Sequence, residues 1–437
     1  MAPTPLFTAC TNQNRDSPMK MNKLTVAILI SMMFGILTGQ GYRMFAADQA
    51  ADFANNITIL TDIFLRLIKM IIAPLVFTTL VVGIAKMGDT RTVGRIGAKT
   101  LGWFMLASLM SLSLGLVMVT LMQPGVGLSL SLPNDTASSG IAAGAITLKD
   151  FVTHAIPKSV VEAMATNEIL QIVVFSLFFG LAAAALGDLA KPVVVLMASA
   201  AEIMLKVTGY VMNFAPFAVF GAIAAMVAKE GLGILVTYGS FMAQFYIALA
   251  CLWLLLIAMG SVFLRGRVIK LLAMIREPIL LAFSTASSEA AYPKTLDRLE
   301  KFGCDKRIAS FVLPMGYSFN LDGSMMYCTF AVMFIAQAYG IELSMAQQIT
   351  MLLLLMVTSK GMAGVPRASL VVIAATLNQF HIPEAGILLL LGIDHFLDMG
   401  RSATNVLGNA IAASVVAKTE DSLGETVALG ESEPAKA

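Results

Sequence analysis

Charged residues and the side chains of soluble catalysis are scarce in this sequence. Lys, Arg, Asp and Glu make up 13% of the 437 residues, about half of the roughly 25% found in soluble globular proteins. The three histidines form no His-Glu-x-x-His motif, and no serine stands in a nucleophile elbow. The four cysteines show no paired spacing, so neither a disulfide framework nor a zinc site is indicated. The sequence therefore predicts neither a soluble enzyme nor an intramembrane hydrolase.

Hydrophobic residues, by contrast, form 58% of the chain, and the mean hydropathy is +0.82. Several apolar runs exceed the length of about 20 residues that crosses a bilayer as a helix. We therefore predict an all-α polytopic membrane protein. The predicted spanning helices cover 24–45, 57–86, 97–123, 168–187, 192–227, 234–264, 308–337 and 385–417. Lys and Arg lie in the short links between them, so the net charge of +2 indicates no nucleic-acid partner.

The basic residues of the links predict the orientation of the chain. The link 86–99 carries four Lys and Arg residues, whereas 124–148 carries none. By the positive-inside rule, the first link, the N-terminal tail 1–22 and the C-terminus are cytoplasmic. The polar loop 133–150 is then external. The segment 419–437, rich in Glu and Ala, is predicted to be a disordered cytoplasmic tail.

Two further apolar segments are predicted to enter the membrane and return on the same side. Segment 277–293 has basic residues on both flanks, so its polar centre, 284–289, is predicted to be the turn of a cytoplasmic re-entrant hairpin. Segment 346–379 has no basic flank and is interrupted by the helix breakers of 358–366, which predicts a second hairpin from outside. Two opposed hairpins, each followed by a spanning helix, are typical of inverted repeats in secondary transporters. Two kinked spans are the alternative.

The last predicted span has a polar face at membrane depth. An unpaired charge there costs on the order of 3 kcal/mol, so these side chains need partners, water or a ligand. A structural ion pair at i,i+3 spacing, Asp398 with Arg401, is the alternative to a binding site. The six polar residues, which fall within roughly 100° of one helical face, are Asp394, Asp398, Arg401, Ser402, Asn405 and Asn409.

The preceding span contains a second polar motif, Asn320-Leu-Asp-Gly-Ser324. Asn320 and Asp322 would point to different faces of an intact helix. We predict that the helix unwinds at Gly316 and Gly323, which brings both side chains and freed carbonyl oxygens together. Such oxygens bind hard cations, including Na⁺. A plain helix kink is the alternative.

These motifs together resemble the dicarboxylate/amino acid:cation symporter family, which includes the glutamate transporters. The resemblance rests on four strings in the family's order, over about residues 22–420: Ser284–Pro293, Asn320–Ser324, Ser359–Pro366 and Asp394–Asn405. It implies a homotrimer in a bacterial-type inner membrane, with eight transmembrane helices, two re-entrant hairpins and an elevator-type movement. Segment 23–264 would supply the scaffold and part of the transport domain, and 265–418 the transport core.

The same resemblance implies roles for individual residues and no cofactor. Arg401 would bind the distal carboxylate of a small anionic solute, and Asp398 its amino group. The other substrate-binding residues would be Ser287, Ser288, Ser324, Gly364, Val365, Ser402 and Asn405. The cation-coupling residues would be Gly316, Asn320, Asp322, Asp394, Asn405, Asn409 and Ser108, with Asn320, Asp322 and Asp394 as candidate Na⁺ ligands.

Departures from the family's pattern bear on the coupling ion and the substrate. A sodium-coupled member has an aspartate at the position of Asn409 and hydroxyl side chains at those of Phe104 and Ala107. Losing these hard-cation ligands makes the chain similar to the proton-coupled glutamate/aspartate symporters. We predict coupling to protons, with Asp322 or Asp394 as the carrier and sodium as the alternative. Members specific for C4-dicarboxylates lack an acid at the position of Asp398, so we predict glutamate or aspartate, with succinate, fumarate or malate as the alternative.

Overall fold

The computed structural model describes residues 23–87, 90–126, 156–231, 238–359, 368–391 and 393–426. These residues form helices joined by turns, and the one β-type pairing among them is an isolated bridge between Cys304 and Leu423. The α-helices are α1 (Lys23–Phe45), α2 (Ala50–Ile57), α3 (Ile59–Met87), α4 (Thr90–Met122), α5 (Val160–Thr166), α6 (Ile169–Leu186), α7 (Lys191–Met212), α8 (Ala215–Glu230), α9 (Gly239–Leu264), α10 (Arg267–Thr285), α11 (Tyr292–Phe302), α12 (Lys306–Phe319), α13 (Asp322–Ala338), α14 (Met345–Thr358), α15 (Ala368–Gln379), α16 (Leu388–Leu391) and α17 (Asp394–Thr419).

Long apolar helices confirm the predicted class of multi-pass membrane protein. Seven segments within the described ranges are long and apolar enough to cross a bilayer. They are Val26–Phe45, Ala47–Ala85, Arg91–Met122, Ile169–Leu189, Lys191–Met212, Gly239–Leu264 and Lys306–Ala338. Two predicted spans are not single helices, because 192–227 is divided into α7 and α8, and 385–417 into α16 and α17. Pro216, at the start of α8, has no N–H to continue the hydrogen-bond ladder of α7.

The first predicted hairpin is formed by α10 and α11, which pack against each other. The chain turns after Thr285 through Ala286, whose φ of 48° is left-handed, and this turn lies within the predicted stretch 284–289. Ion pairs also join the two helices. The buried Glu277 of α10 pairs with Arg298 of α11 at 2.5 Å and with Lys294 at 3.3 Å.

The second predicted hairpin is formed by α14 and α15. Helix α14 begins with a capping box between Ser344 and Gln347, and it ends at Thr358, where the predicted helix breakers start. Helix α15 begins at Ala368. The tip between them, including Gly364 and Val365, lies outside the described residues.

The predicted break within the 308–337 span lies between α12 and α13. Asn320 (φ −130°, ψ 60°) and Leu321 (φ −93°, ψ 65°) leave helical geometry. Both glycines that we expected to unwind, Gly316 and Gly323, are helical instead. The break falls at Asn320 because its side-chain amide bonds to groups outside its own helix.

The helices pack as two groups, which we name the early and the late group. The early group contains α1, α2, α3 and α5 to α8, where α1 packs on α8, and α3 on α6 and α7. The late group contains α9 to α17 together with α4, which packs chiefly against α13 although it comes early in the chain. Helix α17 is buried almost throughout and contacts α9, α10, α12 and α13, so it is the central helix of the late group.

Residues 420–426, which we name the C-terminal strap, are bonded to the late group. The prediction of a disordered tail from residue 419 was therefore wrong for this part of it. Gly424 N donates to the Gly303 carbonyl at 2.8 Å, and Asp305 N donates to the Ser422 carbonyl at 3.1 Å. Arg267 Nη2 donates to the Gly424 carbonyl at 2.6 Å. These bonds satisfy backbone groups that a disordered tail would leave to water. Residues 427–437 lie outside the described ranges.

Candidate functional site

A buried arginine organises the polar face of α17. Arg401 is 1% exposed, and its Nη2 lies 3.2 Å from Asp394 Oδ1 and 3.0 Å from Asp398 Oδ1. The Asp394 side chain is 2% exposed, whereas that of Asp398 is 23% exposed. The i,i+3 ion pair between Asp398 and Arg401 is therefore present. Asp394 contacts the same nitrogen, so this ion pair is part of a triad of Asp394, Asp398 and Arg401.

Tyr327 of α13, which is not among the predicted site residues, completes this cluster. Its hydroxyl donates to Asp394 Oδ1 at 3.2 Å, and its ring centroid lies 4.1 Å from Arg401 Cζ. The ring thus provides a cation–π contact to a guanidinium that is removed from water. The sequence held a signal for it, since Tyr327 follows Ser324 by three residues and so shares its helical face.

Arg401 keeps part of its hydrogen-bonding capacity unused. Among the described residues, its Nε and Nη1 atoms are buried and have no hydrogen-bond partner. These two nitrogens lie on different sides of the guanidinium, so each can donate to an oxygen of a ligand by itself. Leaving buried donors unsatisfied is costly, so the two N–H groups suit an anionic ligand.

A second polar cluster lies at the break between α12 and α13. Asn320 Nδ2 donates to Asp322 Oδ2 at 3.0 Å and to Asn409 Oδ1 at 3.1 Å. Ser111 Oγ of α4 lies 3.1 Å from Asp322 Oδ1 and 2.8 Å from the Ala107 carbonyl of its own helix, so its one hydroxyl hydrogen is shared between two acceptors. All four residues are fully buried. The structure thereby joins three predicted coupling residues and adds Ser111, one helical turn beyond the predicted Ser108.

Two glycines leave the space that this cluster occupies. A Cβ atom at Gly408 would collide with the Asp322 carboxylate, and one at Gly316 would collide with the Asn409 amide. Gly316 was predicted as a coupling residue. Its observed contribution is close approach of α12 to α17, which any side chain would prevent.

Asn405 links the start of α13 to α17. Its Oδ1 accepts from Gly323 N at 2.9 Å and from Ser324 N at 3.4 Å, and its Nδ2 donates to Ser324 Oγ at 3.2 Å. The first backbone N–H groups of a helix have no acceptor within the helix, and Asn405 supplies one for these two. Two predicted substrate residues, Ser324 and Asn405, are thus brought into direct contact.

The other predicted residues make the following contacts. Ser287 Oγ accepts from Ala290 N within the hairpin turn, and Ser288 begins the following 3-10 turn. Ser402 is buried on α17, and Ser108 donates to the Phe104 carbonyl of its own helix at 2.5 Å. Of the three candidate Na⁺ ligands, Asn320 and Asp322 are bonded to each other. The third, Asp394, bonds to Tyr327 and Arg401.

The sequence is similar to known proteins along most of its length. The family model described as "Sodium:dicarboxylate symporter family" matches residues 24–419. The proton/sodium-glutamate symport protein of Bacillus caldotenax is 40% identical over 417 residues, covering 93% of this chain and 97% of that protein. The C4-dicarboxylate transport protein of Laribacter hongkongensis is 40% identical over 404 residues, covering 91% and 89%. The C4-dicarboxylate transport protein of Bacillus subtilis is 37% identical over 412 residues, covering 93% and 96%.

Proposed function

This chain belongs to the sodium:dicarboxylate symporter family, and we propose that it imports glutamate or aspartate together with protons. The family makes the chain a membrane symporter for a small anionic solute and not an enzyme. Relatives named for glutamate and for C4-dicarboxylates are equally similar to it, at 40% identity each. The choice of substrate must therefore come from the site.

The observation that carries the proposal is the arrangement around Arg401. Its unpartnered Nε and Nη1 are buried donors that carboxylate oxygens of the solute can satisfy. Asp398, the most exposed acid of the triad, is the group that an α-ammonium can reach. A solute with both groups satisfies both side chains, whereas a C4-dicarboxylate would bring a second negative charge towards Asp398. Glutamate and aspartate carry that ammonium group.

Proton coupling is supported by the composition of the second cluster. It contains one carboxylate, Asp322, with the amides of Asn320 and Asn409 and the hydroxyl of Ser111. A site for Na⁺ is usually richer in oxygen ligands and negative charge. Asp394, by contrast, is committed to an ion pair with Arg401 and to a hydrogen bond from Tyr327. We therefore assign the coupling proton to Asp322.

A C4-dicarboxylate symporter is the second candidate, supported by the names of the relatives from Laribacter hongkongensis and Bacillus subtilis. In this reading, Asp398 stays paired with Arg401, and a proton on one of the acids offsets the added charge. The homotrimer, the elevator movement, the cytoplasmic termini and the bacterial inner membrane remain part of the proposal through the family.

Uptake into liposomes tests the proposal. The purified protein is reconstituted, and radiolabelled glutamate, aspartate and succinate are supplied outside. Uptake is measured first with an inwardly directed proton gradient and no sodium, and then with an inwardly directed sodium gradient at equal pH. We expect concentrative glutamate or aspartate uptake with the pH gradient alone. Uptake of succinate but of neither amino acid would overturn the proposed substrate. A strict requirement for sodium would overturn the proposal that protons drive uptake.

A further inference from the structure

An apolar groove of about 870 Å³ lies on the outside of the late group. Helices α9 and α10 form its walls, the α17 residues Gly400, Ala403 and Thr404 form its floor, and Leu29 of α1 borders it. The groove therefore lies at the seam between the early and the late group. Neither cluster of the candidate site opens into it through its lining residues.

Apart from one cation, nearly all of the lining is apolar, and its polar atoms are satisfied within the protein. Trp253 Nε1 donates to Thr404 Oγ1 at 2.8 Å, and the Tyr246 hydroxyl donates to the Phe396 carbonyl at 2.6 Å. With that one exception, the walls offer no free polar group to a water-soluble ligand. In a bilayer, such a surface is suited to hydrocarbon.

One cation, Arg276 of α10, lies among these lining residues. It is half-buried and, within the described ranges, makes no hydrogen bond or ion pair. The neighbouring acid, Glu277, cannot neutralise it, because Glu277 is turned into the hairpin and held by Arg298 and Lys294. A guanidinium beside an apolar groove needs an anion from outside the described chain.

The length and the side of the groove indicate where that anion comes from. The lining runs from Leu272 to Phe283 on α10, which is about 16 Å at 1.5 Å per residue. This length is close to half of the roughly 30 Å hydrocarbon core, or one leaflet. Arg276 lies midway along α10, and the groove continues past it to Phe283. The start of α10 carries Arg267 and Lys270 and is the end that the positive-inside rule assigns to the cytoplasm.

We propose that this groove binds an anionic phospholipid of the cytoplasmic leaflet, with an acyl chain along α9 and α10 and the phosphate on Arg276. Anionic lipids are concentrated in that leaflet, and basic pockets between transmembrane helices hold their head groups. The bound chain contacts Leu29 of the early group as well as the late group. This site is separate from the solute site, so the proposal does not depend on which solute is carried.

Trp253 provides a probe inside the groove, because the chain has two tryptophans and the other, Trp103, lies elsewhere on α4. Trp103→Phe leaves Trp253 as the single emitter. The full-length variant is reconstituted in phosphatidylcholine vesicles containing a small fraction of lipid brominated on its acyl chains, either phosphatidylglycerol or phosphatidylcholine. Bromine quenches tryptophan fluorescence on contact, so quenching reports which lipid occupies the groove.

We expect the brominated phosphatidylglycerol to bind about fivefold more strongly than the brominated phosphatidylcholine, which is the effect of one basic residue on an anionic lipid. Arg276→Gln should abolish the difference. Lys270→Gln, which removes an exposed charge from the same helix, should retain it. Ala250→Phe, which fills the groove from its exposed side, should reduce quenching by both lipids.

Three results would overturn the proposal. Equal quenching of the parent by both lipids, or an unchanged preference in Arg276→Gln, would remove the head-group site. Absence of quenching by either lipid would mean that another part of the protein or a second copy covers the groove. A circular dichroism spectrum and elution volume like those of the parent are required of each variant.

Discussion

Asn320 and Asn409 lie 89 residues apart in the chain, yet Asn320 Nδ2 donates to Asn409 Oδ1 at 3.1 Å in the middle of the late group. The bond ties the break between α12 and α13 to the central helix α17. Both side chains are fully buried, and Asn409 Nδ2 and Asn320 Oδ1 have no partner among the described residues. The cluster therefore contains unsatisfied neutral groups beside the single carboxylate of Asp322.

The first prediction changes Asn409 to Asp. The variant places a second buried carboxylate beside Asp322, and two such charges require a cation or a proton between them. We expect uptake without sodium to fall at least about tenfold and to recover when sodium is added. Liposome uptake with and without sodium measures this. Asn56→Asp, an exposed site on α2, is the matched control. Equal sodium-free uptake by Asn409→Asp and the parent would contradict the prediction.

The second prediction concerns Gly408, where a Cβ would collide with the Asp322 carboxylate. Gly408→Ala must displace either this acid or α17, and overpacking of a buried site costs about 1–3 kcal/mol. We expect lower thermal stability and a loss of most uptake. Gly102→Ala is the control, because it also adds a methyl group to a helix but meets no neighbour within 4 Å. If both variants behaved alike, close packing at Gly408 would not be required.

Sequence patterns predicted the parts of this site that depend on local spacing. Six polar residues at helical intervals predicted the polar face of α17, and helix breakers predicted where α14 ends. Partners from distant helices could not be predicted in this way. Ser111 looks like an ordinary residue of an apolar helix until α4 packs against α13. The spacing of Tyr327 from Ser324 indicates its helical face, but its partner Asp394 is evident only once α13 packs against α17. The predicted position of the helix break was also wrong. The break lies at Asn320, whose side chain bonds to another helix, and not at the glycines.

The third prediction tests Ser111, whose hydroxyl donates to Asp322 Oδ1 at 3.1 Å. A hydrogen bond to a charged group contributes about 1.5–3 kcal/mol. Ser111→Ala should therefore lower uptake driven by a pH gradient about tenfold and alter its dependence on external pH. Ser176→Ala serves as the control, since that buried hydroxyl bonds to the backbone of its own helix. An unchanged pH profile for Ser111→Ala would separate Ser111 from coupling.

The fourth prediction concerns the C-terminal strap. Glu420 lies 2.8 Å from Arg95 Nη2 and 2.6 Å from Lys99 Nζ, and the hydrogen bonds from Arg95 lower the pKa of the Glu420 carboxyl from its ordinary value near 4.5. Because the pKa of this carboxyl is lower in the folded than in the unfolded state, the ion pair stabilises the fold at any pH above the pKa of the unfolded state. This stabilisation is lost as the pH falls through the pKa of the folded state.

Glu420→Gln should therefore reduce stability at pH 7 by about 1 kcal/mol or less, because both cations are partly exposed. The difference from the parent should shrink as the pH falls below about 4.5, and also in high salt. Thermal unfolding in detergent across this pH range measures it. Glu342→Gln, at an exposed position, should show no such dependence. A constant difference at all pH values would point to lost packing and not to lost charge.

The last prediction separates the two candidate substrates at Asp398. If this acid receives the α-ammonium group, Asp398→Asn removes that ion pair but leaves Arg401 with Asp394 and with its unpartnered Nε and Nη1. Glutamate and aspartate should then lose about 10- to 100-fold in apparent affinity, the equivalent of one charged hydrogen bond. Succinate needs no ammonium partner, so its relative uptake should rise.

Competition by unlabelled succinate against labelled aspartate gives the ratio for the variant and the parent in one assay. Asp421→Asn is the matched control, because it is exposed and asparagine tolerates its left-handed φ of 51°. A shift in the ratio at Asp398 alone would assign the ammonium contact to this residue. Equal losses for aspartate and succinate would instead mean that Asp398 holds Arg401 in place for either solute, which favours the C4-dicarboxylate alternative.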